Sequence, residues 1–302
     1  MHRIAPLLAA VAIASTAHAA PDAGPPEPCT FTKASVDCEL VTIDDALAKT
    51  LAKHKSARLR VTFGGSAKNA DLASLSKVPW ASEVSIAANG IDDLSELSSA
   101  PKVATVVIRS HAIKNLAPLA KLPELGTLMI TGMGVEDVAP LAVAPKLRFV
   151  ALPPTVRDVS PLSKLAPLRA LTLGFDAKGV SSLVQLEELS ILRSAAKDTS
   201  VLAPLVGLVK LSILRAGFLV DVSGIAPLTK LRDLDLVDCP KLVDLSPLSK
   251  LAALERVDLT GTAVRDVSPL LGSAKTLQRL TLPEETPAVQ LEPFKKINPK
   301  LK

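Results

Sequence analysis

"VRDVSPLSKLAPLRALTL" fills positions 156–173, and "VRDVSPLLGSAKTLQRLTL" fills 264–282. The two stretches keep their leucines in register while most residues between them change. Each ends in the same phrase, L-x-x-L-x-L, here "LRALTL" and "LQRLTL". Residues two apart on a strand point to the same face, so L-x-L reads as a strand with one apolar side. A chain that repeats this phrase has a repeating structural unit.

Working outward, the phrase recurs with Val or Ile allowed at each Leu. It starts at 103, 125, 147, 168, 186, 208, 231, 254 and 277, with looser copies at 58 and 81. From first to last, the spacings are 23, 22, 22, 22, 21, 18, 22, 23, 23 and 23. Composition alone does not produce such regularity. A second phrase lies between the strands: "DVAPL" at 137, "DVSPL" at 158, "DLSPL" at 244 and "DVSPL" at 266. Ser before Pro suits a helix N-cap followed by a favoured first helical residue. Each unit therefore reads as a parallel strand, a turn and a short helical or 3-10 segment, stacked on its neighbours. The 18-residue spacing after 168 lacks the SPL phrase and marks a pinched repeat.

This pattern, L-x-x-L-x-L…[IV]-x-D-[LV]-S-P-L, resembles the 22-residue leucine-rich repeat of bacterial internalin-type proteins, over about 58–282. The resemblance implies an α/β solenoid: a horseshoe with a concave parallel β-sheet and short helical or 3-10 segments on its convex side. That family usually carries Asn at the ninth repeat position, where the amides form a ladder. This chain has Asn89, His111, Met133, Thr155, Asp176, Ser194, Ala216, Cys239, Thr262 and Glu285 there. A mostly missing ladder implies looser turns after the strands. The cell-wall sorting motif and the following immunoglobulin-like module are absent, so a host-invasion role does not carry over.

Composition agrees with thin, similar layers. The chain has 302 residues, 48% hydrophobic but only 2% aromatic, with one Trp and no Tyr. Its core must be Leu, Val, Ile and Ala. Residues 1–19, "MHRIAPLLAAVAIASTAHA", read as a secretory signal: Arg3, a short apolar run, and Ala17-His18-Ala19 as cleavage site. The expected mature protein is secreted or periplasmic and has no membrane span, because no stretch reaches the 18 apolar residues a span needs. Residues 20–37 read as a Pro-rich linker with Cys29 and Cys38 at its end, and 38–57 as an N-terminal helical cap. The array follows at 58–282, about eleven repeats, and 283–302 form a C-terminal cap or tail. Within the first cap, "TIDDALAKTLAKHK" (42–55) predicts a helix with a capping box from Thr42 to Asp45 and a face of Ile43, Ala46, Leu47 and Leu51. Cys29 and Cys38 are close enough to bridge, and the sequence admits both a bonded and a free pair. Cys239 reads as a small buried side chain.

The function classes narrow by elimination. After signal removal 34 basic and 30 acidic residues remain, a net charge of +4, interspersed and without aromatic interleaving. Nucleic-acid binding is disfavoured. The remaining histidines, His54 and His111, lie in the cap helix and in a turn position. "FGGSAKNA" (63–70) lacks P-loop spacing and reads as a wide turn. Neither a catalytic constellation nor a cofactor motif is present, so the chain reads as a non-enzyme.

Recognition is then the leading expectation. In L1-x2-x3-L4-x5-L6-x7-x8, positions 4 and 6 enter the core, and positions 3 and 5, partly 7 and 8, face the concave sheet. Down the array these give an apolar strip of Val107, Met129, Phe149, Ala151, Phe175, Leu192 and Leu214, flanked by Arg109, Arg193 and Arg215. Aromatic, Met and Arg side chains favour interface centres. The competing reading has these side chains only shielding one another. A second patch gathers Asp233, Asp235, Asp238, Glu255 and Asp258, with Asp235 and Asp258 expected side by side. It reads as a dock for a basic partner, as a weak Ca²⁺ site, or as a solvated face balanced by Arg232, Arg256 and Arg279. The expected partner is a protein. The alternative is a self-associating or polysaccharide-binding envelope component, though the shortage of aromatic platforms speaks against sugar.

Overall fold

The computed structural model describes residues 29–301, apart from Ser56 and Phe175. The signal and its cleavage site lie outside the described residues. Thirteen strands among them form one sheet in sequence order, with no crossover. The strands are β1 (Cys29–Phe31), β2 (Ser35–Leu40), β3 (Arg58–Phe63), β4 (Glu83–Ile86) and β5 (Thr105–Ile108). Next come β6 (Thr127–Ile130), β7 (Phe149–Leu152), β8 (Ala170–Leu173), β9 (Glu188–Leu192) and β10 (Lys210–Leu214). The sheet closes with β11 (Asp233–Val237), β12 (Arg256–Asp258) and β13 (Arg279–Thr281). From β2 onward every pairing is parallel, as stacked one-strand repeats require.

The core is a set of apolar columns. Position 4 contributes Val106, Leu128, Val150, Leu171 and Leu189 in adjacent strands, all buried. Position 6 adds Ile108, Ile130, Leu152, Leu173 and Ile191, also buried. Each fully buried aliphatic side chain stabilises by about 1.5–3 kcal/mol before conformational entropy is subtracted. The short repeat is real in space: Ala170 pairs with Glu188, an offset of 18, and its convex segment is the 3-10 turn Val180–Ser182.

The two ends differ from the sequence reading. Residues 29–37 are not linker. They form β1 and most of β2, an antiparallel hairpin in which Cys29 opposes Cys38 and the two are joined by a disulfide. Val36 and Cys38 alternate inward, so "SVDCEL" adds a strand ahead of the eleven repeats. The cap helix α1 (Asp45–Ala52) is shorter than 42–55. Its N-cap is Asp44, whose carboxylate accepts from the Leu47 N–H at 2.7 Å, so the capping box does not form from Thr42. Ala46 is exposed and Ala48 packs inward instead. At the far end the helix Glu292–Ile297 drives Phe294, fully buried, against the last repeat.

Apart from the one-turn helix Asn69–Leu72 in the first repeat, the convex segments are 3-10 turns, and in the D-[LV]-S-P-L repeats the capping residue is not the serine. Asp158 accepts from the Ser160 N–H at 2.8 Å, Asp244 from Ser246 at 2.8 Å and Asp266 from Ser268 at 2.9 Å. Asp93, Asp137, Asp198 and Asp221 do the same in their repeats. The aspartate of D-[LV]-S-P-L is therefore the conformational signal, an Asx turn that starts the segment. The hydroxyl and N–H of the following serine hold the Asp158 and Asp198 carboxyls below the ordinary carboxylate range. For Asp244 and Asp266 the backbone N–H leads and the hydroxyl adds.

Two predictions follow from this architecture. Leu171→Asp places an unpaired charge between Val150 and Leu189 and should remove at least about 3 kcal/mol; a circular dichroism melt matching the parent would contradict the repeat frame. The lowered aspartates contribute stability that is present above the ordinary carboxylate pKa, about 4, and is lost as pH falls through their lower folded values. Melting temperature should hold from about pH 7 to about 5 and fall below about 4. The triple variant Asp158→Asn, Asp244→Asn, Asp266→Asn keeps the acceptors without the charge. Its decline should be shallower, whereas an unchanged slope would assign the acid loss to other groups.

Candidate functional site

Strand register fixes where each concave side chain lies. Thr105, Thr127, Phe149, Ala170, Glu188, Lys210, Asp233, Arg256 and Arg279 form the position-3 column. Val107, Met129 and Ala151 form the position-5 column, which continues through Ser190 and Ser212 to Asp235 and Asp258. Leu192, Leu214 and Val237 form the position-7 column. The apolar strip read from sequence is thus split over three columns. Residues two apart on a strand are about 6.6 Å apart, so Phe149 does not continue into Leu192 directly. Val107 is only 7% exposed, which leaves it little surface to offer a partner. Arg109 occupies position 7 of its own repeat, not the position-8 place of Arg193 and Arg215. Phe175 lies outside the described residues.

The structure does gather part of the set. Leu192, Arg193, Leu214, Arg215 and Asp238 line one depression of about 500 Å³ at the C-terminal ends of β6–β11. Pro153, Pro154, Met133 and Val237 also line it. Val107, Arg109, Met129 and Phe149 do not line it. The missed members had a partial signal: Val237 follows "LRDLDL" as Leu214 follows "LVKLSI". The inward bulk of Pro153–Pro154 had none.

Charge is distributed unevenly around this depression. The Arg215 Nε lies 3.8 Å from the Asp238 carboxylate, with both side chains more than half exposed. Arg193 is exposed and makes no ion pair among the described residues. In the acidic patch Arg256 pairs with Asp233, and Arg232 pairs with Glu255 at 2.8 Å. Asp235 and Asp258 are direct neighbours with no ion-pair partner among the described residues. The Ser212 hydroxyl donates to Asp235 at 2.7 Å, and the Thr260 hydroxyl and N–H donate to Asp258 at 2.6 and 2.9 Å. Burial pushes the Glu188 carboxyl above its ordinary range, against the pull of Lys210. Among the described residues no group of three or more His, Cys, Asp or Glu is arranged to hold a metal ion. No helix among them is long and apolar enough to cross a membrane.

The ninth-position ladder is partly present. The Asn89 carbonyl oxygen accepts from the His111 N–H at 2.9 Å, and His111 Nδ1 accepts from the Met133 N–H at 3.1 Å. Later, the Asp176 carboxylate accepts from the Ala195 N–H at 2.7 Å and the Ser194 hydroxyl at 2.5 Å. His111 thus works as a ladder rung joining adjacent turns.

With this geometry in hand, resemblance to solved structures can be weighed. By sequence, no protein-family profile and no curated protein matches the chain. By structure, an internalin from Listeria monocytogenes (inlF) matches at TM-score 0.53 and 18% identity, over 89% of this chain and 85% of that one. TLR13, solved in complex with ssRNA13, matches at TM-score 0.61 and 18% identity, over 82% of this chain and 37% of that one. Drosophila Toll, solved in complex with Spatzle, matches at 0.55 and 15%, over 84% and 34%. The fold is that of the leucine-rich-repeat proteins. Short strands and 3-10 turns at 22-residue spacing give it repeats of the internalin type.

The leucine-rich-repeat ladder makes His111 testable. His111→Leu should cost about 1 kcal/mol by orphaning the Met133 N–H, and His111→Asn should restore most of it by supplying an amide oxygen. Equal melting of both variants would remove His111 from the ladder.

Proposed function

We propose that the protein is exported and recognises a protein partner through its concave face, centred on the depression at β9–β11. One observation carries this reading. Leu192, Leu214 and Val237 stay half-exposed, side by side, on a hydrogen-bonded sheet and beside two exposed arginines. Apolar side chains with adjacent Arg are the composition of interface centres. A sheet already fixed by its ladders also lowers the ordering cost of association. Export is supported by the Cys29–Cys38 disulfide, a bond that persists in oxidising compartments. The reading includes no enzymatic step.

The test is affinity capture from the native envelope and culture medium, with the mature chain as bait beside a Phe149→Glu, Leu192→Glu, Leu214→Glu variant of parent-like circular dichroism. A protein retained by the parent and lost by the variant is the expected result. Identical captures would move recognition off the concave face. Recovery of the same chain alone would favour self-association.

A further inference from the structure

Four successive repeats share an unusual backbone at position 8. Arg193, Arg215 and Asp238 have φ of 57°, 59° and 56°, and Gly261 has 71°. This left-handed region crowds Cβ against backbone, favours glycine and is tolerated by Asp and Asn. The local hydrogen bonding explains the bend. The Arg193 N–H donates forward to the Leu214 carbonyl at 2.7 Å, Arg215 to Val237 at 2.9 Å and Asp238 to Thr260 at 2.8 Å. Earlier repeats turn back instead: Arg109 and Ser110 donate to Ile86, and Thr131 and Gly132 to Ile108. The forward form begins only after the short repeat. Gly261 meets the backbone's demand at low cost. At 193 and 215 the sequence keeps arginine against that demand. Breaches of local preference of this kind concentrate at functional sites.

The side chains at 193, 215 and 238 all line the depression. Arg193 and Arg215 stand at its outer rim, beyond the apolar floor of Leu192, Leu214 and Val237. On the inner side of that floor, two residues back along the strands, lie Asp235 and Asp258. Adjacent like charges also work against folding, and neither has a cationic partner among the described residues. On the outer side of the floor Arg193 has no ion-pair partner among the described residues while Arg215 is paired with Asp238, and on the inner side stand the carboxylates of Asp235 and Asp258.

We infer that the depression receives an extended segment of a partner protein with a fixed polarity: a carboxylate over Arg193, an apolar anchor on the floor, and a basic group over Asp235 and Asp258. This rests on the recognition reading above and specifies its ligand. From Arg193 to Asp235 is two strand spacings and three residues along the strand, about 14 Å. An extended segment covers that in roughly four residues.

The test pans a random heptapeptide display library on the immobilised full mature chain. The expected enrichment is Asp or Glu, then an aliphatic or aromatic residue, with Lys or Arg about four positions from the acid. A synthetic copy of the leading peptide should lose at least about tenfold in affinity on Arg193→Glu. Replacing its acid by Lys should restore binding to that variant. Arg193→Gly removes the side chain and relieves the left-handed strain, so it should melt no lower than the parent and still lose binding. Peptides without the acid, peptides indifferent to both Arg193 variants, or no enrichment at all would overturn the inference. If such indifferent peptides are still lost by the Phe149→Glu, Leu192→Glu, Leu214→Glu variant, concave-face recognition stands without this polarity. If they bind that variant as well as the parent, both readings fall.

Discussion

A single repeat of this chain cannot bury its own apolar edge. Position 4 of one strand covers position 4 of the next, and the same holds at position 6, so each unit is stable only between two others. Everything else in the molecule is a consequence. The first exposed edge is closed by an antiparallel hairpin fastened at Cys29–Cys38 and by Ile43 and Leu51 around α1. The last is closed by Phe294. The segments between strands are free to vary wherever they do not touch this stack, and there the charges and the larger side chains collect.

The short repeat between β8 and β9 changes how strands end. Before it, the residues after position 6 donate back to the preceding strand and the chain leaves the sheet early. After it, β9, β10 and β11 each run five residues, and position 8 donates forward. Position 7 then belongs to the sheet, so Leu192, Leu214 and Val237 become a floor where earlier repeats have Arg109, Thr131 and Pro153.

The fold was legible because positions 1, 4 and 6 obey one period across some two hundred residues. The strand β2 escaped that reading because "SVDCEL" lacks the leading leucine and owes its place to the disulfide and to pairing with β3. The Asp caps were hidden behind the more familiar Ser-Pro signal. At the site, individual residues were legible but their arrangement was not. Phe149, Met129 and Leu192 all face the concave side, yet they occupy positions 3, 5 and 7, and one-dimensional spacing ran them together as a strip. Nothing in an arginine's identity announces a positive φ, so the rim at Arg193 and Arg215 could be named as flanking charge but not as strained backbone.

The distribution of cost along the solenoid separates its two halves. Toward the N-terminal end the concave charges are mutually satisfied: Glu83 is buried under Arg60, at 2.7 Å, and faces Arg58 at 3.7 Å, with Asp37 beyond. Such a cluster tightens the stack and leaves little field outside it. Toward the C-terminal end Asp235 and Asp258 stand side by side and Arg193 stands exposed, none with an ion-pair partner among the described residues, and the backbone at Arg193 and Arg215 is strained. Selection for stability alone would place glycine at 193 and 215, as at 261, and would separate Asp235 from Asp258. Neighbouring repeats that obey the same stacking rule keep these costs around the apolar floor of Leu192, Leu214 and Val237. That coincidence, more than the exposure of any single side chain, marks the surface as built for something outside the chain.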